Sequence, residues 1–178
     1  ARRLPSPGLD GTAPRHEAFR GRARVNSSAF EATTTEKAVF YRLCGALGLP
    51  TPELYGVVTR SAAGWGIGGR VIDGPGAFAD LLGGLPRDLV VKPSGGGKGD
   101  GVRVYRREDD VLIDAGDGTR ITPAALWREL RADPQYEAHV VQERLRNHIA
   151  LSEAVPSRAL HTIRLATFVP AAGAAEVS

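Results

Sequence analysis

Methionine is absent from these 178 residues, and cysteine occurs once, at Cys44. Without a methionine, Ala1 is not a translation start, which leaves room for a segment upstream. A single cysteine excludes an intrachain disulfide. Set in an apolar helical pattern, Cys44 reads as a small core residue, and a reducing, cytoplasmic setting fits best. Aromatic residues make up only 6% of the chain, and no run of 18 apolar residues occurs, so no membrane span is expected; no signal peptide is visible. Lysine is scarce as well. Of 23 basic side chains only Lys37, Lys92 and Lys98 are lysines, and two of those three sit in or beside one glycine-packed loop.

What is present is the composition of a globular domain: 42% hydrophobic and 24% charged residues, enough chain for one ordinary domain or two small ones. The net charge of +3 is local. Residues 1–24 carry six arginines against Asp10 and Glu17, so the rest of the chain is slightly negative. A nucleic-acid protein would carry a basic stripe with interleaved aromatics on its folded part. Here the surplus lies in a Pro/Gly-rich leader, so no nucleic-acid partner is expected.

The leader, residues 1–28, is loop-like. "TTTEKAVFYRLCGALGLP" predicts a helix, with Thr33 and Glu36 at capping-box spacing, Val39, Phe40, Leu43 and Leu47 as its apolar face, and Gly48 and Pro50 as stops. "ELYGVVT" predicts a strand. Gly64, Gly66 and Gly69 match G-x-G-x-x-G, but no helix opens there and no acidic residue follows about 20 positions on, so a dinucleotide-binding motif is rejected and the stretch is expected to be irregular. "AFADLLGGL" predicts a short helix, "DLVVKP" and "GVRVYR" strands, and "VLIDAGDGTRIT" a hairpin turning at "GDG", with Asp114 and Asp117 as turn formers rather than calcium ligands. In "TPAALWRELRADP", Thr122 caps a helix with Pro123 at its first position and Leu126, Trp127 and Leu130 as its stripe. "EAHVVQE" and "TIRLATFV" complete the strands, the latter with Thr162, Arg164, Ala166 and Phe168 on one face. His139, His148 and His161 show no metal spacing. The expected class is α+β: an antiparallel sheet with helices on one side.

The loop "SGGGKGDG" carries the chemistry. Glycines let backbone N–H groups approach an anion, and successive amides form a concavity that suits phosphate. Lys98 adds a point charge at the tip, and Lys92 leaves a strand just before Pro93, which fixes its place. The loop joins two strands and lacks the Walker A Lys-[Ser/Thr], and no kinase-type H-R-D or D-F-G occurs. A floppy surface hairpin of this composition would be costly to order without a ligand.

"VVKPSGGGKGDGVRV" resembles the strand, glycine loop and strand of ATP-grasp enzymes, "AHVVQERL" their hinge strand, and "TTTEKAVFYRLCGALGLPTPELYGVV" the segment ahead of the small domain. "NHIALSEAVPSRALHTIRLATFV" is similar to the sugar-transfer-associated ATP-grasp branch, close to alpha-L-glutamate ligase-like proteins, which tends to have Asn-Thr-Ile-Arg where this chain has His161, Thr162, Ile163 and Arg164. The resemblance covers about residues 30–170. It implies a basic leader (1–28), a pre-ATP-grasp segment (29–75), an ATP-grasp small subdomain (76–145) and the start of the larger C-terminal subdomain (146–178). It implies that Lys37 and Lys92 contact phosphate, that Ser94, Gly95, Gly96, Gly97, Lys98 and Gly99 form a lid continuing to Gly101, that Gln142, Glu143, Arg144 and Leu145 form the adenine hinge, and that Arg164 is the catalytic arginine facing the transferred phosphate. All three lysines then map to the nucleotide site, where a compact charge can follow a moving phosphate and arginine's planar fork is no substitute.

The activity implied is ATP-dependent carboxylate–amine ligation through an acyl phosphate, with Mg²⁺ and with small-molecule acid and amine substrates, in polysaccharide or secondary-metabolite biosynthesis. The family's magnesium carboxylates lie on strands beyond the arginine strand, and after Arg164 the only carboxylate side chain here is Glu176. The expectation is therefore that these 178 residues alone bind nucleotide without turning it over, the apparently missing strands belonging to a longer protein. A non-catalytic nucleotide-binding module and a kinase-like phosphotransferase are the alternatives.

Overall fold

A computed structural model of the protein describes residues 30–155, 157 and 160–163, together with the backbone of 167–168 and 176–177. The chain falls into two compact units, Ala1–Glu143 and Arg144–Ser178.

The first unit is built on eight antiparallel strands. In chain order they are β1 (Leu54–Thr59), β2 (Gly64–Gly66), β3 (Val71–Ile72), β4 (Asp88–Pro93), β5 (Arg103–Glu108), β6 (Val111–Asp114), β7 (Arg120–Ile121) and β8 (Ala138–Glu143). Across the sheet the order is β3-β2-β1-β8-β4-β5-β6-β7, so the last strand made is inserted between β1 and β4. Val57 pairs with Val140, and Val140 with Lys92, so these three form a row across the sheet. The helices are α1 (Ala32–Thr35), α2 (Lys37–Ala46), α3 (Pro75–Gly83) and α4 (Pro123–Ala132).

Alternation along β4 sorts its side chains. Leu89 and Val91 are buried on one face, while Val90 and Lys92 point the other way and are half-buried. The first face meets α3 and α4: Phe78, Leu82, Leu89, Tyr105, Leu112 and Leu126 are fully enclosed in one cluster. Burying each such side chain stabilises the fold by about 1.5–3 kcal/mol. Helix α4 forms as its sequence predicts. Thr122 Oγ1 accepts the Ala125 N–H at 3.2 Å, Pro123 opens the first turn, and Leu126 and Leu130 are buried. The hairpin of β6 and β7 also forms, and both aspartates act as turn formers. Asp114 Oδ1 accepts the Gly116 N–H, and Asp117 Oδ1 accepts the Thr119 N–H, each at 2.8 Å.

Four expectations need correction. The helices do not share one side: α2 lies on the Lys92 face, opposite α3 and α4, because Tyr41 of α2 bonds to both Lys92 and Gln142. The helix predicted from Thr33 is broken at Glu36, which is extended (φ −97°, ψ 107°), and no capping box forms; Thr33 Oγ1 donates instead to Phe30 O at 2.5 Å. The buried face of α2 is Tyr41 and Cys44, whereas Val39, Phe40, Leu43 and Leu47 are exposed. Finally, the G-x-G-x-x-G stretch is not irregular throughout. It makes β2 and a 3₁₀ turn (Ile67–Gly69) leading to β3, with no helix following, in keeping with rejection of the dinucleotide motif.

The second unit holds α5 (Ile149–Ala154), whose first turn is capped by His148 Nδ1 accepting the Ala150 N–H at 3.3 Å, and a pair of two-residue antiparallel strands, β9 (Thr167–Phe168) and β10 (Glu176–Val177). Of the predicted strand 162–169 only β9 is described as strand; Thr162 and Ile163 are irregular, and Arg164 lies outside the described residues. No helix among the described residues is long and apolar enough to cross a membrane.

Candidate functional site

The site is assembled where β4 runs into the glycine loop and α2 begins. Lys37 is the first residue of α2, and Tyr41 and Cys44 follow at i+4 and i+7 on the same helical face. Packing that face on the sheet brings the Lys37 ammonium to the base of the loop. Its Nζ donates to Ser94 O at 3.0 Å and to Gly96 O, and its backbone N–H donates to Ser94 O at 3.0 Å. Ser94 is buried, and its Oγ accepts the Ala38 N–H at 3.1 Å, so the start of the loop is tied to the first turn of α2.

Lys92 lies on the same face. Its Nζ is 3.1 Å from Tyr41 Oη, and Tyr41 in turn donates to Gln142 Oε1 at 2.5 Å. The Lys92 cation also lies 5.3 Å from the centre of the Tyr41 ring. Burial, followed by the positive charge of Lys37, brings the Lys92 ammonium down from 10.5 to about 8. Burial also lowers Lys37, against an opposing pull from Glu36. Burial raises the Tyr41 hydroxyl, which stays neutral at ordinary pH. Among the described residues neither lysine is in an ion pair. Two cations thus share a partly dehydrated corner beside exposed backbone amides, an arrangement suited to an anion carrying more than one negative charge.

The rest of the loop bends through two turns, with Asp100 N–H donating to Gly97 O at 3.0 Å and Val102 N–H to Gly99 O at 3.3 Å. Lys98 stands exposed at the tip with a left-handed backbone (φ 57°). Glycine is required at position 101, where the backbone has φ +65° and a Cβ would sit 2.7 Å from Pro93 Cγ; a Cβ on Gly95 would meet only the movable carboxylate of Glu36.

Of the hinge residues, Gln142 is buried beside Lys92's face, and its Nε2 donates to Glu143 O at 3.2 Å. The Glu143 carboxylate accepts the Glu53 N–H at 3.2 Å, holding the end of β8 to the start of β1. The structure therefore brings together Lys37, Lys92, Ser94, the loop glycines and Gln142. Arg144 and Leu145 belong to the second unit, with Leu145 exposed. Sequence reasoning missed Tyr41, the residue linking Lys92 to Gln142; its position one turn after Lys37 was the available signal.

An antiparallel sheet carrying a lysine just ahead of a glycine loop, with a second lysine brought to the base of that loop by a helix, gives an α+β domain with a corner suited to an anion. The chain belongs to the sugar-transfer associated ATP-grasp family, whose model matches residues 18–177. None of the curated proteins and none of the solved structures matches it.

Proposed function

We propose that the protein is an ATP-dependent ligase that joins a carboxylic acid to an amine through an acyl phosphate. The carrying observation is the convergence of Lys37 and Lys92 on the base of the glycine loop, neither of them in an ion pair among the described residues. In this reading a polyphosphate is the ligand of that corner. Its charge takes over the Lys37 ammonium from the loop carbonyls, while Gly95–Gly99 and Lys98 close over the outer phosphates. Gln142 and Glu143, at the end of β8, are assigned to the base-binding edge; the hinge role of Arg144 and Leu145 and the catalytic role of Arg164 stay as the family resemblance implies them, Arg164 lying outside the described residues. A substrate carboxylate oxygen attacks the terminal phosphorus and the bond to ADP breaks; the amine nitrogen then attacks the acyl carbon, expels phosphate and loses a proton. The protein's share is positioning and charge neutralisation. For magnesium, the described residues offer no group of three or more His, Cys, Asp or Glu side chains that could hold it.

The test is ADP release with a panel of carboxylates, using hydroxylamine as the amine so that an acyl phosphate is caught as a hydroxamate. Carboxylate-dependent ADP with hydroxamate supports the ligase. ATP binding without ADP release, in a chain extended past residue 178 as well as in these 178 residues, points to a non-catalytic nucleotide module, and a phosphate ester to a phosphotransferase. Failure of saturating ATP to bind the wild-type protein would sink all three.

A further inference from the structure

The glycine loop is held at both ends, and the far end is held from outside the phosphate corner. Tyr136, on the connection between α4 and β8, donates its hydroxyl to Asp100 Oδ2 at 2.6 Å and accepts from Gln135 Nε2 at 2.8 Å. Its ring reaches to 3.8 Å from the point where Gly101 would carry a Cβ. The connection is itself fixed. Asp133 Oδ1 accepts the N–H groups of Gln135 at 2.8 Å and Tyr136 at 3.2 Å, and its Oδ2 lies 3.1 Å from Nε2 of the buried His139 on β8. The rings of Tyr136 and His139 meet edge to face at 6.0 Å between centroids. Asp100 is therefore bonded to an arm rooted in the middle of the sheet. Asp100 and Tyr136 are 36 residues apart, so this bond is not a by-product of local loop geometry.

We propose that Tyr136 is a positioning residue for the glycine lid: by clasping Asp100 it confines the freely moving part of the lid to Gly95–Gly99 and keeps Lys98 and the loop amides within reach of a bound polyphosphate. The proposal rests on the nucleotide reading above. The two ends have different duties. Lys37 bonds to the near stem through an ammonium that a phosphate can claim, whereas the Tyr136–Asp100 bond involves neither lysine and persists when the ligand arrives. Without it the free stretch extends through Asp100 and Gly101 towards β5, and each added residue must be re-ordered on binding, at a backbone entropy cost.

The experiment is a cycle of Tyr136→Phe, Asp100→Ala and the double variant, with Asp100→Asn as the conservative control that keeps an acceptor oxygen. Amide exchange at Lys98–Gly101 is measured without nucleotide, and ATP affinity by titration. Loss of one such bond should speed exchange roughly threefold to tenfold in each single variant and weaken ATP binding by a similar factor. The double variant should show no more than either single change, and Asp100→Asn should stay close to wild type. Unchanged exchange, additive effects in the double variant, or faster exchange with unaltered ATP affinity would each overturn the proposal. If wild-type protein binds no ATP while exchange responds as expected, the clasp stands and the nucleotide reading falls.

Discussion

Lys92 makes the proposed site sensitive to pH in a direction that can be worked out beforehand. In the free protein its ammonium titrates at about 8, lowered by burial and then by Lys37. A bound polyphosphate would supply opposite charge and return it towards the ordinary lysine value, so binding favours the protonated form. At pH 7 a group of pKa about 8 is roughly 90% protonated, and at pH 9 roughly 10%, so binding at pH 9 requires proton uptake at a cost of up to tenfold. Solvent at this half-buried corner screens the interaction, and the expected loss of ATP affinity between pH 7 and 9 is about threefold to tenfold. The neighbours do not mask the effect. Tyr41 is shifted upwards and stays neutral, Gln142 does not titrate, and Lys37 is shifted the same way as Lys92 and adds to the trend. The phosphates lose their last proton around pH 6, so they are roughly 90% ionised at pH 7 and change little above it. Isothermal titration at pH 8.5 in buffers of different ionisation enthalpy should show net proton uptake, and Lys92→Met should flatten the profile. Wild-type affinity that stays constant from pH 7 to 9 with no proton uptake would refute the account of Lys92.

Two further expectations concern stability. Tyr41→Phe leaves the buried Gln142 Oε1 without its donor and should cost about 1–3 kcal/mol in urea unfolding; an unchanged midpoint would mean that Gln142 finds another partner. Gly101→Ala combines a left-handed backbone with a Cβ pressed onto Pro93 and should destabilise by roughly 1–3 kcal/mol, whereas alanine at Gly97, which meets open space, should be well tolerated.

Much of the fold was legible in the sequence where a local signal coincides with the tertiary outcome. Helix α4 carries its own cap and stripe, β4 alternates, and the loop between β4 and β5 declares itself by glycine. Helix α2 departs from expectation because its most hydrophobic positions, Val39, Phe40, Leu43 and Leu47, are not the ones turned to the sheet; the buried face holds Tyr41 and Cys44, of which only Cys44 reads as a core residue from the sequence. Strands β2 and β3 are only three and two residues long, too short and too rich in glycine for alternation to show. In the candidate site, Lys92 and the loop were legible because they are contiguous. The Tyr41 bridge and the Asp100–Tyr136 bond join residues 51 and 36 positions apart, and no local pattern records such pairs.

The placement of β8 has a consequence for how the protein is made. During synthesis β1 with β2 and β3, and β4 with β5, β6 and β7, can each pair from neighbouring sequence, but the two groups share no strand until β8 arrives to join them. Until then β1 and β4 are open edges with unpaired backbone groups, a state prone to association with other chains. Pairing Leu54 with Gln142 closes a stretch of nearly ninety residues, so this step is entropically demanding and sets a slow pace. Gln142 is delivered to Tyr41 and Lys92 by that same strand. Completion of the lysine corner therefore coincides with the joining of the two half-sheets, and a nascent chain cannot present the finished corner until residue 143 has left the ribosome.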